Sequence, residues 1–428
     1  MKRLFLLTAI LTVIFTGVRA QNLEHLLDSL SKIYAFSYEK MDVDSSFEAK
    51  YLLQFEQAVD PGNEAAGKFR QRVFLSHKNF EAPVVFITEG YTAWHAEKPD
   101  FTSELAGLLN ANQICVEHRY FGTSAPDTLN WDYLTVANAA TDHHHIVQVL
   151  KNIYAGKWIS TGISKGGQTT VYFRYFYPED VDISVPYVAP LNFSLEEQRV
   201  YRFLNSVGTK ECREKILNFQ RELLKNKADY LEAFQKLADK KHLTYRMGIE
   251  KAFELTVFEY SFAFWQWGYF TCNQIPQDFT EKDSIIKHLD DVAGLKWISN
   301  EGIAELQPFF YQCIRELGFY GYDISPFKEW VSYKKNPTFE FTLPEGVTVS
   351  YEPELNQQVD CFVRHKAKNM IFIYGGNDPW FAPAFELTYH TNSIRVVKEG
   401  GSHRTRIKDL SEEQKKLVMN TLNKWLNE

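Results

Sequence analysis

The chain has 428 residues, 45% hydrophobic and 15% aromatic, enough for one large α/β domain or a domain with a sizeable insertion. Its net charge of −7, with no basic cluster, argues against a nucleic-acid partner. Residues 1–20 stand apart: Lys2-Arg3 is a basic start, Leu4 to Val18 is largely apolar, and Val18-Arg-Ala20 fits a cleavage site before Gln21. This predicts a secretory signal peptide and a secreted or periplasmic protein. A retained anchor helix fits less well, because the apolar run is short for a span. In an exported chain Cys212, Cys272, Cys313 and Cys361 can form two disulfides of open pairing, whereas Cys115, inside an apolar run, is expected to be a buried thiol.

After residue 20, Leu23 to Leu30 predicts a short amphipathic helix. Glu48 to Val59 and Phe69 to Ser76 flank the turn Asp60-Pro-Gly-Asn63 and predict an antiparallel hairpin. Apolar strands are then expected at Val84–Ile87, Gln113–Glu117, Trp158–Thr161 and Ile183–Ala189, alternating with helices over Phe101–Leu109, Asn138–Tyr154 and the stretch ending at Phe176. Such alternation means a parallel sheet covered on both faces. From about Leu195 to Gln357 the pattern becomes helical, with a charged stretch at Glu211–Leu237 and an aromatic one at Phe253–Phe270. The aromatic stretch is either the core of a helical subdomain or, in part, the lining of an apolar pocket. Strands resume at Asn369–Tyr374 and Ser393–Val397, and a closing helix starts at Ser411 with a Ser-x-x-Gln414 capping box and the apolar face Leu417, Val418, Leu422 and Trp425. The expected division is therefore a signal peptide (1–20), a first α/β segment (21–194), a helical cap (195–357) and a second α/β segment (358–428).

Gly162-Ile-Ser-Lys-Gly166 fits G-x-S-x-G between a predicted strand and a predicted helix, the setting of a nucleophile elbow. Two later strands end in loops carrying Asp378 and His403, so Ser164, Asp378 and His403 follow the Ser…Asp…His order of α/β-hydrolases. A serine hydroxyl needs a base to take its proton, histidine supplies one near neutral pH, and a carboxylate fixes the imidazole tautomer. The backbone N–H of Lys165 and one from Gly90 or Tyr91, after the Val84–Ile87 strand, are the expected oxyanion donors. His143-His-His145 is a poor metal site, because consecutive helical residues point in different directions. No metal and no cofactor is expected.

Glu117-His-Arg-Tyr-Phe-Gly122, Tyr133-Leu-Thr135 and Asp142, together with Asp378-Pro-Trp380, resemble the blocks of the Pro-X carboxypeptidase and dipeptidyl peptidase II serine peptidases. Tyr311-Gln-Cys-Ile-Arg-Glu316 and Gly318 resemble a cap block of that group with its cysteine displaced by one. The form Thr161-Gly-Ile-Ser-Lys-Gly-Gly167, with His403-Arg404, is closer to the prolyl tri/tetrapeptidyl aminopeptidases, secreted bacterial serine peptidases. The resemblance implies an α/β-hydrolase fold with a helical cap. It also implies an exopeptidase that takes short peptides, tri- or tetrapeptides or dipeptides, from free N-termini with proline at the cleaved position. It gives Trp380 to the pocket for the proline ring, and Gln168 to a pocket position that relatives often fill with methionine. Glu89, with Glu316 as a second candidate, takes the substrate's α-ammonium. His118 and Arg119 are expected to organise the neighbouring loop. An esterase on the same triad, or a non-catalytic binding protein on a hydrolase fold, is the alternative.

Overall fold

The computed structural model describes residues 23–428, so the signal-peptide expectation lies outside the described residues. Two compact units emerge: the chain up to Val185 together with Thr421–Glu428, and Pro186–Asn420.

In the first unit, helix α1 (residues 23–34) precedes strands β1 (Phe36–Met41), β2 (Ala49–Ala58) and β3 (Lys68–His77), which pair antiparallel. Then β4 (Val84–Thr88), α2 (Glu104–Leu109), β5 (Asn112–Val116), α3 (Val136–Leu150), β6 (Trp158–Ile163), α4 (Lys165–Phe176) and β7 (Ile183–Tyr187) alternate. The order β3-β5-β4-β6 is antiparallel at β3/β5 and parallel thereafter. The Thr161 hydroxyl donates to the Val185 carbonyl at 2.7 Å and so holds β7 against β6. Every residue of β4 and β5 is buried, as expected for strands covered on both faces. β1 was not anticipated, because its sequence, Phe-Ser-Tyr-Glu-Lys-Met, is half exposed along the sheet edge.

In the second unit the chain between β7 and β8 forms only helices and loops among the described residues. These helices are α5 (Gln198–Leu204), α6 (Lys210–Lys225), α7 (Leu231–Lys240), α8 (Ile249–Trp267), α9 (Lys282–Ala293) and α10 (Asn300–Gln312). The charged helical stretch expected over 211–237 is two helices with a break at Asn226–Tyr230, where Tyr230 turns inward and is fully buried. One disulfide, Cys212–Cys272, ties the start of α6 to the turn after α8. Cys313 and Cys361 are outside any disulfide, so the four cysteines make one bridge rather than two. Helix α11 (Glu354–His365) leads to the parallel pair β8 (Ile371–Gly375) and β9 (Ile394–Lys398), and Tyr187, the last residue of β7 and already part of this second unit, registers with Ile373. The closing helix α12 (Glu412–Asn427) starts with the Ser411–Gln414 box, both bonds at 3.2 Å. Its buried face is Val418, Leu422 and Trp425, whereas Leu417 is exposed.

Strands in the reversed order β5-β4-β6, followed by a tight β6–α4 corner, give the α/β-hydrolase fold.

Candidate active site

Ser164 sits at that corner with φ 58° and ψ −121°, a strained conformation for a residue with a Cβ, worth on the order of 1–3 kcal/mol. Strain of this kind persists only where the surroundings enforce it. Here a Cβ on Gly162 would stand 2.2 Å from the Gly166 carbonyl oxygen and 2.7 Å from that of Thr88. A Cβ on Gly90 would stand 2.7 Å from the Gly166 nitrogen, so the loop after β4 touches the elbow backbone directly. The Thr88 hydroxyl lies 2.7 Å from that of Thr170 and donates to the Gly166 carbonyl at 3.1 Å, clamping β4 to α4. The candidate oxyanion residues Lys165, Gly90 and Tyr91 thus belong to one packed backbone cluster.

The Lys165 side chain, which sequence reasoning did not single out, adds a further tie. It is buried, its ammonium donates to the Gly90 carbonyl at 2.7 Å, and it lies over the rings of Tyr91 and Phe121 at 5.8 and 5.4 Å. That carbonyl and the Tyr91 N–H belong to one peptide plane. Fixing the oxygen therefore fixes the direction of the N–H. The block beginning at Glu117 holds the same loop from its other side. Glu117 is buried, takes two bonds from Arg72 (2.9 and 2.6 Å), and accepts the Ala93 N–H at 3.0 Å and the Ser124 hydroxyl at 2.7 Å. The His118 N–H donates to the Tyr91 carbonyl at 3.1 Å. Arg119 is fully buried, pairs bidentately with Asp142 at 2.7 and 2.8 Å, and donates to the carbonyls of Ala58, Val59 and Tyr133. Burial raises the Asp142 carboxyl and Arg119 opposes that shift, while burial first and Lys165 second hold the His118 imidazole far below its ordinary range. These groups organise a loop.

Glu89 directly follows β4, and its Oε1 lies 3.1 Å from His95 Nε2. Gln168 is buried in the first turn of α4, and its side-chain nitrogen has no hydrogen-bond acceptor among the described residues. His143, His144 and His145 go three ways: the first packs between Phe86 and Phe173, the second meets Asp180 at 2.7 Å, and the third meets Gln57 at 2.9 Å.

In the second unit, Asp378 Oδ2 and His403 Nδ1 lie 2.6 Å apart, both buried. Asp378 Oδ1 accepts the Trp380 N–H at 3.1 Å, so the aspartate is oriented at both oxygens. The β8 and β9 loops are bonded to each other through Gly376 N–H to Lys398 carbonyl (2.8 Å) and Asn377 N–H to Gly401 carbonyl (2.7 Å). The His403 backbone N–H donates to the Gln266 carbonyl at 2.8 Å, and its ring meets that of Trp267 at 5.9 Å in a T-shaped contact, so the last turn of α8 supports the residue. Engagement of Nδ1 leaves Nε2 to exchange a proton with a hydroxyl.

Trp380 is buried among Phe262, Phe319 and Tyr320 at 5.2–5.4 Å between ring centroids, and Phe262 stacks on Tyr320 at 3.9 Å. Behind this wall Glu259 accepts the hydroxyls of Tyr320 and Tyr322 at 2.8 and 2.6 Å. Burial lifts its carboxyl to about 8 against the opposing effect of those two bonds. The aromatic stretch of α8 serves both expected ends: Phe253 and Tyr260 are core, while Phe258, Phe262 and Trp265 line a cavity of about 390 Å³. Glu316 is buried in the wide turn after α10, and its backbone carbonyl accepts from the Asn356 side chain at 2.9 Å.

The profile of the PS-10 peptidase S37 family matches residues 26–427. The chain is 32% identical over 384 residues to the prolyl tri/tetrapeptidyl aminopeptidase of Streptomyces mobaraensis, covering 88% of this chain and 80% of that one. It is 29% identical to the human lysosomal Pro-X carboxypeptidase over 157 residues, about a third of each chain (33% and 32%). Among solved structures, the proline iminopeptidase of Mycobacterium smegmatis aligns over 83% of this chain and 96% of its own at 12% identity and TM-score 0.38. The chain is a serine peptidase belonging to the PS-10 peptidase S37 family.

Proposed function

We propose that this peptidase is exported and releases tri- or tetrapeptides, with dipeptides as the shorter option, from free N-termini by cleaving after proline. Ser164 is the nucleophile, His403 the base and Asp378 its orienter. The Ser164 oxygen attacks the prolyl carbonyl carbon as His403 Nε2 takes the hydroxyl proton. The oxyanion is stabilised by the N–H of Lys165 and one from Gly90 or Tyr91. Collapse breaks the C–N bond, and His403 returns the proton to the departing amine. Water, activated by the same imidazole, then frees the N-terminal peptide and restores Ser164. Trp380, with Phe262, Phe319 and Tyr320 around it, offers the proline ring an aromatic wall, and the orphaned Gln168 amide marks a polar contact for substrate. The helices of 195–357 act as a cap that admits chain ends only.

The observation that carries the aminopeptidase reading is the placement of Glu89. Its carboxylate directly precedes Gly90, whose backbone packs on the elbow at Lys165 and Gly166. A carboxylate there discriminates a free ammonium from a blocked one, because only the free amine offers it a charge-assisted hydrogen bond. Mass spectrometry of products from an Ala-Ala-Pro-containing peptide, free and N-acetylated, tests this. Tripeptide release from the free form alone is expected, with discrimination lost in Glu89→Gln. Equal cleavage of both forms removes the anchor, and strong ester turnover with no amide turnover replaces the peptidase reading with an esterase.

A further inference from the structure

Around Glu89 three side chains of different chemistry converge. Its Oε1 is 3.1 Å from His95 Nε2 and 3.7 Å from Cys115 Sγ, and the three donor atoms all lie within 4.8 Å of one another. Two ligands on one tetrahedral zinc ion, at bonds of about 2.0 Å to nitrogen or oxygen and about 2.3 Å to sulfur, stand about 3.3–3.6 Å apart. The two shortest separations here bracket that span, so modest side-chain rotation closes the set around a metal.

The backbone already holds the donors in place. β4 and β5 pair with Ile87 opposite Cys115, which puts the thiol beside the strand end that carries Glu89. His95 lies in the short helical turn Trp94–Glu97, whose entry is fixed by the Ala93 N–H on Glu117. Its ring packs against Phe101 at 4.7 Å. The thiol is buried, whereas the Glu89 and His95 side chains are 19% and 29% exposed, so solvent reaches the group from one side. Burial pushes the Cys115 thiol up, and so does Glu89, while Lys50, held by the Lys98 carbonyl at 2.6 Å, pulls it down. Neither the catalytic steps above nor the loop ties use this cysteine.

We propose that Glu89, His95 and Cys115 form a binding site for a thiophilic divalent cation, Zn²⁺ by its chemistry, and that occupation inhibits the enzyme by taking Glu89 away from the substrate amine. Mixed thiolate, imidazole and carboxylate donors select such an ion over Mg²⁺ or Ca²⁺. The metal accepts lone pairs from a Glu89 oxygen, His95 Nε2 and the Cys115 thiolate; the thiol proton passes to solvent, and water fills the fourth position. The inhibitory half rests on reading Glu89 as the amine anchor, whereas the site itself does not.

The test uses the protein carrying Cys361→Ser, which removes the exposed free thiol, titrated with Co²⁺ without oxygen. A near-ultraviolet thiolate-to-cobalt band is expected that saturates at one equivalent, is displaced by Zn²⁺, and is lost in both Cys115→Ser and His95→Ala. No band, or a band surviving both substitutions in protein of unchanged circular dichroism, overturns the site. Kinetically, Zn²⁺ is expected to raise KM for a free-N-terminus peptide at constant kcat, an effect absent in His95→Ala. A cobalt band without this inhibition overturns the inhibitory half and counts against Glu89 as the anchor. Loss of free-versus-acetylated discrimination in Glu89→Gln, with no band in the parent, sinks the metal site and leaves the anchor standing.

Discussion

Around Ser164 backbone presses on backbone: glycines at 90, 162 and 166 let β4, its following loop and α4 meet at distances no side chain tolerates. Around His403 the imidazole is held instead by Asp378 and by contact with the Trp267 ring, while the residue's backbone N–H is tied to the Gln266 carbonyl. The difference fits the tasks proposed for the two regions. An elbow must present one oxygen and two N–H groups at fixed positions, which close-packed backbone does best. A base that takes and returns a proton needs a defined tautomer, which one well-placed carboxylate supplies. The two regions should therefore break differently.

The largest expected effect is in the second region. Asp378→Asn keeps the fold but reverses the tautomer preference, and kcat is expected to fall by about 10⁴-fold, measured on a chromogenic prolyl peptide amide. In the first region Gly162→Ala forces a Cβ to within 2.2 Å of a backbone oxygen. It is expected to cost about 3 kcal/mol of stability, at the top of the range for overpacking, read as a lowered urea midpoint. An unchanged midpoint would show that the elbow backbone can yield.

Lys165→Met sharpens the contrast, since it removes the tie to the Gly90 carbonyl but keeps the Lys165 N–H. A fall in kcat on the order of 10- to 100-fold with KM nearly constant is expected, less than the 10²–10³ that follows loss of a direct oxyanion donor. The matching readout is weaker binding of a peptide aldehyde, which forms an oxyanion, with unaltered binding of the product peptide.

The effect furthest from turnover, read in stability alone, concerns Glu259 behind the aromatic wall. Its carboxyl titrates at about 8 when folded because burial disfavours the charge, against an ordinary 4.5. Between these values the native state holds a proton that the unfolded chain has released. The group therefore favours folding most below the lower value and loses that contribution as pH rises, by about 1.4 kcal/mol per pH unit, until the upper value is reached. Glu259→Gln is expected to flatten the decline of thermal stability between pH 5 and 8. An identical pH slope in both proteins would place the ionised carboxylate in the native state.

What was legible in the sequence tracks how local each device is. The elbow is encoded within five residues, since its glycines record the crowding around Ser164. Asp378 and His403 were legible because each follows an apolar strand. The Lys165 bond to Gly90 spans 75 residues and the Arg72–Glu117 pair 45, so neither leaves a local signature. His95 went unremarked for the same reason: nothing in its neighbours announces Glu89 or Cys115. The aromatic run in α8 was visible, but its split between core, cavity and the wall beside Trp380 depends on which residues face Tyr320 and Phe319, elements some 60 residues on. β1 was missed because an edge strand needs only one buried face, and the two-bridge cysteine expectation failed because Cys313 lies buried as a thiol.

The central proposal is that His403 activates Ser164. Intact and peptide-level mass spectrometry after treatment with a fluorophosphonate tests it directly. One adduct on the peptide containing Ser164 is predicted, lost in His403→Ala while circular dichroism stays unchanged. An adduct on another serine, or labelling of Ser164 that persists undiminished in His403→Ala, would contradict it.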